Sequence, residues 1–305
     1  MNQILVLGGG RKLGYAEYGP PLGRPVFYFH GAASSRLERP VDEGLLPAAG
    51  VRLITADRPG HGLSDPQPGR RLLDWPDDIR RLADHLGLDR FYVMGCSSGG
   101  PHALACAYRL ADRVLACAAV SSVAPMGRPG AFEGLPLPNR LLAVSARRAP
   151  WLTRLIRRLM YSLVTRDVET ATRRLMASIP ESDKEALYAP EHVDGFVASI
   201  REAFRGGWQG TARDDVLVNR DWGFALSAIG VRVDVWHGEA DVNVPCHAGE
   251  YLHAHIPHSR IILLPGEGHF FLIKRWREIL AALLSDPSAA SDLTGFASGK
   301  RLESR

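Results

Sequence analysis

The segment Gly95-Cys96-Ser97-Ser98-Gly99 fits the pattern G-x-S-x-G, in which a serine lies between two glycines. An apolar run precedes it at residues 91–94, and a helical pattern follows at residues 101–110. A tight strand-to-helix turn exposes the central serine, and the glycines leave room for that turn. The pattern therefore predicts that Ser97 is a nucleophile, placed where helix N–H groups face a developing negative charge.

A serine hydroxyl becomes a good nucleophile only when a neighbouring base removes its proton. In proteins that carry this turn, an acid and then a histidine follow the serine along the chain. Asp241 and His269 each come just after a predicted strand, at the sheet edge where parallel sheets place their sites. We predict that Asp241 is the acid and His269 the base, with Glu239 as the alternative acid.

Acyl transfer also needs two backbone N–H groups that stabilise the oxyanion. We assign these to Ser98, which follows the nucleophile, and to Ala32 in the loop at residues 30–33, with Ala33 as the alternative. Gly31 lets the backbone of this loop approach closely. The candidates for the substrate pocket are small or aromatic residues: Ala33, Phe196, Phe204 and Phe270.

Short apolar runs alternate with helical patterns along most of the chain. Eight runs are predicted as strands, at residues 4–7, 13–18, 25–30, 51–56, 91–96, 114–120, 231–236 and 260–264. Their near-continuous apolar character indicates a sheet covered on both faces, and the alternation with helices indicates mostly parallel strands. The first two strands are expected to form an antiparallel edge. A helix is predicted at residues 75–86, with Asp74 as its N-cap.

One long interval, from about residue 125 to 206, shows no strand pattern. Within it, apolar residues recur at helical spacing, which predicts a helix that buries this apolar side. They are Leu152, Leu155, Ile156, Leu159 and Leu163, with Arg154, Arg157 and Arg158 on the opposite side. We therefore divide the chain into a core (residues 1–124 and 207–285), a helical cap over the site (residues 125–206) and a disordered tail (residues 286–305). The cap is expected to control substrate access.

Composition and charge exclude several classes of protein. The chain has 305 residues, of which 46% are hydrophobic and 23% charged, as in a globular protein with a large core. Glycine, serine and proline interrupt the longest uncharged stretch, residues 91–108, so we expect no membrane partner. The 37 basic residues are spread along the chain rather than gathered with aromatic residues, so no nucleic-acid partner is expected.

Cysteine and histidine usage favours a protein without metal. The four cysteines show no CxxC spacing, which indicates reduced thiols and a cytoplasmic location. The N-terminus lacks the basic start of a signal peptide. Histidines gathered at residues 247–258 have no paired carboxylate or cysteine spacing. We expect neither a metal nor an organic cofactor.

The segments HGAASSR, DRPGHGLSD, GCSSGGPHALA, HGEADVNVP and GEGHFF, in this order, resemble the α/β-hydrolase superfamily over about residues 13–284. The resemblance implies a mostly parallel eight-stranded sheet with helices on both faces and a helical cap inserted after strand 6. It implies a serine hydrolase that cleaves a small or medium carboxylic ester, thioester or lactone through an acyl-enzyme on Ser97. Serine at this position disfavours the haloalkane dehalogenases and epoxide hydrolases of this fold, which carry aspartate there.

Two kinds of alternative stay open. The same residues serve amide or peptide hydrolysis, C–C bond hydrolysis, perhydrolysis or a lyase reaction in other proteins of this fold. Proline iminopeptidases share DRPGxGxSD but usually carry the turn GGSWG, and they need cap carboxylates for a substrate ammonium; the candidates here are Glu191, Asp194 and Glu202. The second alternative is a ligand receptor with vestigial hydrolase activity. The expected partner is a small-molecule acyl substrate, and the expected state is a monomer or a homodimer.

Overall fold

An eight-stranded sheet runs through the computed structural model, which describes residues 2–167, 170, 179–187 and 190–285. The strands are β1 (Asn2–Val6), β2 (Lys12–Tyr18), β3 (Arg24–Phe29), β4 (Val51–Ala56), β5 (Phe91–Cys96), β6 (Val114–Val120), β7 (Val233–Gly238) and β8 (Ser259–Leu264). Their order across the sheet is β1-β2-β4-β3-β5-β6-β7-β8. β2 pairs antiparallel with β1 and with β4, and all other neighbours pair in parallel. The prediction of eight strands with an antiparallel edge is confirmed.

Helices cover both faces of this sheet. In the described residues they are α1 (Leu45–Ala49), α2 (Trp75–His85), α3 (Gly100–Arg109), α4 (Leu137–Arg148), α5 (Pro150–Arg166), α6 (Glu181–Leu187), α7 (Pro190–Ala203), α8 (Gln209–Val218), α9 (His247–His255) and α10 (Leu272–Leu284). Helices α4 to α8 all lie between β6 and β7. A helical insertion therefore follows the sixth strand, as the sequence predicted, although α8 lies beyond residue 206, where the predicted cap ends. The predicted tail at residues 286–305 lies outside the described residues.

Successive residues of a central strand face opposite halves of the core. On β5, Phe91 and Val93 belong to the apolar cluster on one face of the sheet, whereas Met94 and Cys96 belong to the cluster on the other face. Helix α2 packs into the first cluster and α10 into the second. Because both faces are buried, apolar side chains are needed at consecutive positions, which explains the apolar runs of the sequence.

The register of the parallel strands aligns their C-terminal ends. Phe29, the last residue of β3, pairs with Gly95 of β5, and Gly95 pairs with Ala119 of β6. β6 in turn pairs with β7, and β7 with β8. The loops that follow these strands lie side by side at one edge of the sheet, and these loops carry the predicted site residues.

Helix α5 buries a different side from the one that the sequence predicted. Most of the predicted apolar side is exposed, since Leu155, Leu159 and Leu163 keep 45%, 57% and 61% of their accessible surface. Leu152 and Ile156 are half-buried. The buried side carries Arg157 instead, which forms two hydrogen bonds of 2.6 and 2.9 Å to the carboxylate of Asp215 on α8. The prediction of a buried leucine side is wrong because a buried carboxylate, supplied by a later helix, draws the arginine inward.

Asp74 is the N-cap residue of α2 as predicted, although it does not cap the helix through its side chain. Asp74 directly precedes the helix, but its side chain forms no capping hydrogen bond there. Its carboxylate accepts the N–H of Arg71 at 2.8 Å and so closes the short turn ahead of the helix. Pro76 stands at the second helical position and has no N–H to offer to a capping side chain.

Candidate active site

Ser97 lies on the turn between β5 and α3 that the sequence predicted. Its φ angle is +54°, in the left-handed region that residues other than glycine rarely adopt. Both flanking glycines are sterically required. A Cβ on Gly95 would lie 2.2 Å from the carbonyl oxygen of Gly99, and a Cβ on Gly99 would lie 2.0 Å from that of Phe29. The strained turn holds Ser97 half-buried at the C-terminal edge of the sheet.

Asp241 and His269 are hydrogen-bonded to each other, with 2.7 Å between Oδ2 and Nδ1. Asp241 follows β7 and His269 follows β8, and both are buried, with 5% and 7% of their surface exposed. The other oxygen of Asp241 accepts the N–H groups of Asn243 and Val244, each at 2.8 Å. The backbone thus fixes the carboxylate, and the carboxylate can fix the orientation of the imidazole.

The charges around this pair favour an ionised aspartate and a basic histidine. Burial is the largest single influence and would lower the pKa of His269, but the charge and the hydrogen bond of Asp241, together with other carboxylates, raise it above the ordinary value. Burial would raise the pKa of Asp241, but His269 and His237 hold it well below its usual range. Asp183 and Glu38 add smaller negative potentials that also raise the pKa of His269.

Residues just past the end of β6 connect the serine turn to the histidine loop. The N–H of Val123 donates to the carbonyl of Ser97 at 3.4 Å. The hydroxyl of Ser121 donates to the carbonyl of His269 at 3.1 Å. Ser121 itself has a φ of +44°, a further strained position at this edge. The short segment 121–123 therefore holds the two predicted reacting groups in one neighbourhood.

The loop after β3 lies beside Ser97. A Cβ on Gly31 would lie 3.8 Å from the Cβ of Ser97. The N–H groups of Ala32 and Ser98, the predicted oxyanion donors, have no acceptor among the described residues. A hydrogen bond within the segment holds the loop in place, because the N–H of Gly31 donates to the carboxylate of Glu38 at 3.1 Å. Two unpaired amides beside a serine are what an oxyanion site requires.

A buried ion cluster supports this loop from a second side. Arg58 donates to the carbonyl oxygens of His30 and Gly31 at 2.5 and 3.0 Å, and to the carboxylate of Asp214 on α8 at 2.6 Å. Arg70 contacts the other oxygen of Asp214. Burial opposes ionisation of Asp214, but the two arginines hold its pKa well below the usual range. The sequence analysis missed this cluster, because Arg58 and Asp214 lie 156 residues apart and share no motif.

The alternative acid, Glu239, does not contact the predicted base. Glu239 is exposed and makes no hydrogen bond to His269 within the described part of the chain. A second histidine, His237, lies on the other side of Asp241, with 3.5 Å between its Nε2 and Oδ2. Its Nε2 also bonds the carbonyl of Val244 at 2.8 Å, which fits a structural role. The geometry therefore brings Asp241, and not Glu239, to the predicted base.

Of the pocket candidates, Phe270 lies beside His269, and Phe196 packs against Phe270. Their ring centres are 5.7 Å apart with the planes at 81°, and the centre of Phe270 is 5.3 Å from that of the imidazole. Phe204 lies elsewhere: it is 3% exposed and packs edge-on against Tyr161, with 5.7 Å between the two ring centres. The structure thus brings a cap aromatic, Phe196, to the histidine loop and places Phe204 in the packing of the cap.

The cap also contacts the loop after β3. Ala33, with a φ of +50°, precedes a serine pair in that loop. The hydroxyl of Ser199 on α7 accepts the N–H of Ser35 at 3.0 Å. Arg36 and Glu202 form an ion pair at 2.8 Å, so Glu202 is not a free ligand for a substrate ammonium. The other two cap carboxylates considered for that role are exposed: Glu191 and Asp194.

A buried cap carboxylate, Asp183, contacts the loop that carries His269, and the sequence analysis missed it. It is fully buried and accepts the N–H of Phe270 at 2.7 Å. A Cβ on Gly268 would lie 2.3 Å from its Oδ1, so the loop before His269 wraps closely around the carboxylate. Its Oδ2 has no hydrogen-bond partner in the described part of the molecule, and burial raises its pKa. No sequence signal marks it, since acidic residues are common in the first turn of a helix.

Fold and site together are those of a known family. The model of the alpha/beta hydrolase fold family matches residues 24–275. The chain therefore belongs to the α/β hydrolase fold family, which confirms the resemblance found in the sequence. The prediction that the chain is a hydrolase of this fold is confirmed at that level, and its substrate class stays a proposal.

Individual relatives add detail. Over 232 residues the chain is 29% identical to a 2-hydroxy-6-oxononadienedioate/2-hydroxy-6-oxononatrienedioate hydrolase 2 of Pseudomonas putida, covering 74% of this chain and 73% of the relative. Among solved structures, it is similar to a hydrolase from Pseudomonas aeruginosa PA01 (TM-score 0.68, 18% identity, 93% and 98% of the two chains covered). It is also similar to the enol-lactonase from Burkholderia xenovorans LB400 (TM-score 0.63, 20% identity, 93% and 100% covered). At these identities the two structures show the fold alone.

Proposed function

We propose that the chain hydrolyses a small or medium carboxylic ester, thioester or lactone with Ser97, His269 and Asp241 as its catalytic triad. The observation that carries the proposal is the 2.7 Å bond between His269 Nδ1 and Asp241 Oδ2, at the sheet edge where Ser97 stands on a strained turn. This bond keeps a proton on Nδ1, which leaves Nε2 as the base.

In the first half-reaction, Ser97 Oγ attacks the acyl carbon while its proton moves to His269 Nε2. The oxyanion accepts hydrogen bonds from the N–H groups of Ala32 and Ser98. Asp241 stabilises the imidazolium, which then gives its proton to the leaving alcohol, thiol or lactone oxygen. The acyl group stays on Ser97.

In the second half-reaction, water attacks the acyl-enzyme as its proton moves to His269 Nε2. The tetrahedral intermediate collapses, Ser97 leaves with that proton, and the carboxylic acid is released. Every step uses groups of this chain and water, so the proposed reaction needs no metal or organic cofactor. The cap, through Phe196 and Asp183, is proposed to cover the site and shape the acyl pocket.

Two measurements on the same variants test the proposal. A fluorophosphonate should label the wild type rapidly and stoichiometrically, and p-nitrophenyl esters should be turned over repeatedly. Ser97→Ala should lose both, whereas Ser98→Ala, which keeps its backbone N–H, should still be labelled. Labelling without repeated turnover would instead assign a ligand receptor, and a wild type that resists labelling would show that Ser97 is not activated.

A second candidate reaction is hydrolysis of a carbon–carbon bond beside a ketone. The relative from Pseudomonas putida favours it, because the oxo diacid in its name has no ester, thioester or lactone to hydrolyse. A comparison of kcat/KM for an ester and lactone panel with kcat/KM for a 2-hydroxy-6-oxodienoate separates the two reactions. A value for the oxodienoate at least tenfold above that of every ester and lactone would replace the first proposal with the second.

A further inference from the structure

Helices α4 and α5 carry an apolar surface that no described part of the chain covers. Among the described residues, seven of the eleven exposed large apolar side chains lie on these two helices. Most of them recur every fourth residue, so they share one face of each helix. This hairpin face consists of Leu137 (67% exposed) and Leu141 (57%) on α4, and Trp151 (67%), Leu155 (45%), Leu159 (57%) and Leu163 (61%) on α5. Apolar residues gathered in this way mark an interaction surface more often than scattered ones do.

Both helices turn this face away from the rest of the molecule, because both use their other sides to pack on α8. Arg157 of α5 is bonded to Asp215 in the middle of α8. Arg147 of α4 donates to the carbonyl of Asn219, directly after α8, at 3.4 Å. The two helices are also joined to each other, because the hydroxyls of Ser145 on α4 and Thr153 on α5 form a hydrogen bond of 2.8 Å. The hairpin face is therefore one surface on the outside of the cap.

The charge of this hairpin has a single sign. From residue 134 to 166 the sequence holds seven arginines and not one aspartate or glutamate. Of these arginines, Arg157 is bonded to a carboxylate, and the other six have no carboxylate partner in the part of the chain that the structure describes. Five of those six are exposed: Arg140, Arg148, Arg154, Arg158 and Arg166. Arg154 and Arg158 follow Trp151 and Leu155 by three residues each, so they flank the hairpin face.

A cavity of about 710 Å³ opens along α4 and adds further guanidinium groups. Its wall holds five arginines and one acid: Arg128, Arg140, Arg147, Arg148, Arg220 and Asp221. Leu137 and Leu141 stand within one turn of Arg140, so the cavity borders the hairpin face. Arginine forks are suited to bind phosphate oxygens in pairs.

We propose that the hairpin face docks on an anionic lipid surface, with its leucines and Trp151 in the interfacial region and its arginines on headgroup phosphates. Apolar and tryptophan side chains flanked by arginine are the composition of helices that lie in a membrane interface. A second copy of the chain fits less well, because a two-fold contact would set the same unpaired arginines against each other. A nucleic acid would satisfy the arginines but leave the leucines without an apolar partner.

This inference revises the expectation that the chain has no membrane partner, which rested on the lack of an apolar span. Within the described residues, no helix combines the length and the apolar character needed to cross a bilayer. Docking on a membrane surface requires neither that length nor that apolar character. It is also independent of the proposed reaction, since neither Ser97 nor its partners belong to the hairpin face.

Co-sedimentation of the full chain with vesicles tests the charge requirement. The chain should bind vesicles of equimolar phosphatidylcholine and phosphatidylglycerol, should not bind phosphatidylcholine alone, and should be released by salt. Each arginine at such a surface strengthens partitioning by about fivefold. The double variant R154E/R158E should therefore bind at least about 25-fold more weakly. The matched reversal R80E/R277E, at exposed sites on α2 and α10, should change binding by less than about threefold.

The apolar requirement has its own variants. Trp151→Ser combined with Leu155→Ser should weaken vesicle binding at unchanged net charge, whereas Leu22→Ser, at a fully exposed turn, should not. Equal binding to neutral and anionic vesicles, or none to either, would overturn the proposal. So would a concentration-dependent dimer that the serine pair dissolves in the absence of vesicle binding, which would assign the face to a second copy. Ser97→Ala should bind vesicles like the wild type, whether or not the chain is an esterase.

Discussion

Asp183 offers a sharp test of how the cap acts on the proposed base. Its carboxylate accepts the N–H of Phe270 at 2.7 Å, one residue after His269, and its charge raises the pKa of the imidazole. Asp183→Ala removes both effects and leaves the Phe270 N–H unpaired, at a cost of about 1–3 kcal/mol. If the loop moves by about 1 Å, kcat/KM should fall by about 10²-fold. Asp183→Asn keeps an acceptor for this N–H and removes only the charge.

The two variants should therefore differ. At pH values above the pKa of His269, kcat/KM of Asp183→Asn should stay within about fivefold of the wild-type value. This corresponds to a loss of less than about 1 kcal/mol of transition-state stabilisation. Because removal of the negative charge lowers the pKa of His269, and the base must be neutral, the acid limb of its pH profile should move to lower pH.

The assay is kcat/KM against pH, together with the rate of phosphonylation of Ser97. Leu187→Ala, a fully buried position on the same helix, is the matched control, since it should cost about 2–5 kcal/mol of stability without slowing the labelling. Equal slowing by Leu187→Ala and Asp183→Ala, or an acid limb that Asp183→Asn does not move, would refute the reasoning.

Four further outcomes are expected. Asp241→Asn should lower kcat by about 10⁴-fold, whereas Glu239→Gln should stay near wild type; the reverse result in ester turnover would identify the other acid. The acid limb of kcat/KM in the wild type should lie above the ordinary value for histidine, because Asp241 raises the pKa of His269, and a pH series checks this. Phe196→Ala should shift the preferred acyl length but leave labelling by a very small phosphonate nearly unchanged, as a chain-length series would show. Arg157→Met should lower the free energy of unfolding by about 3–5 kcal/mol in denaturant melts, because its buried carboxylate partner is left unpaired.

Much of the fold follows from patterns a few residues long. The strands β4, β5 and β6 begin and end where the apolar runs do, because flanking glycine, proline and charged residues stop each run locally. The serine turn is equally local, since Gly95 and Gly99 are the residues whose Cβ atoms would collide with the backbone. Chain order and strand ends also sufficed to select Asp241 and His269, which the structure joins at 2.7 Å.

Other features depend on partners that no local pattern names. Asp183 reaches Phe270 across 87 residues, and Arg58 reaches Asp214 across 156. No local signal names these partners, although Arg58 itself belongs to the DRPGHGLSD segment. They become buried and paired only after the insertion has packed on the core, because only then is water removed from around them.

The orientation of α5 shows most clearly which features the sequence determines and which ones the tertiary structure decides. The sequence by itself determined that the segment from residue 152 to 163 lies in an amphipathic helix, because the spacing of its leucines and arginines is a local property. Which side turns inward was decided by the tertiary structure, since burial of Arg157 depends on the carboxylate of Asp215, 58 residues later. An arginine bonded twice to a carboxylate can be buried where an unpaired one cannot, so the leucines are left on the surface.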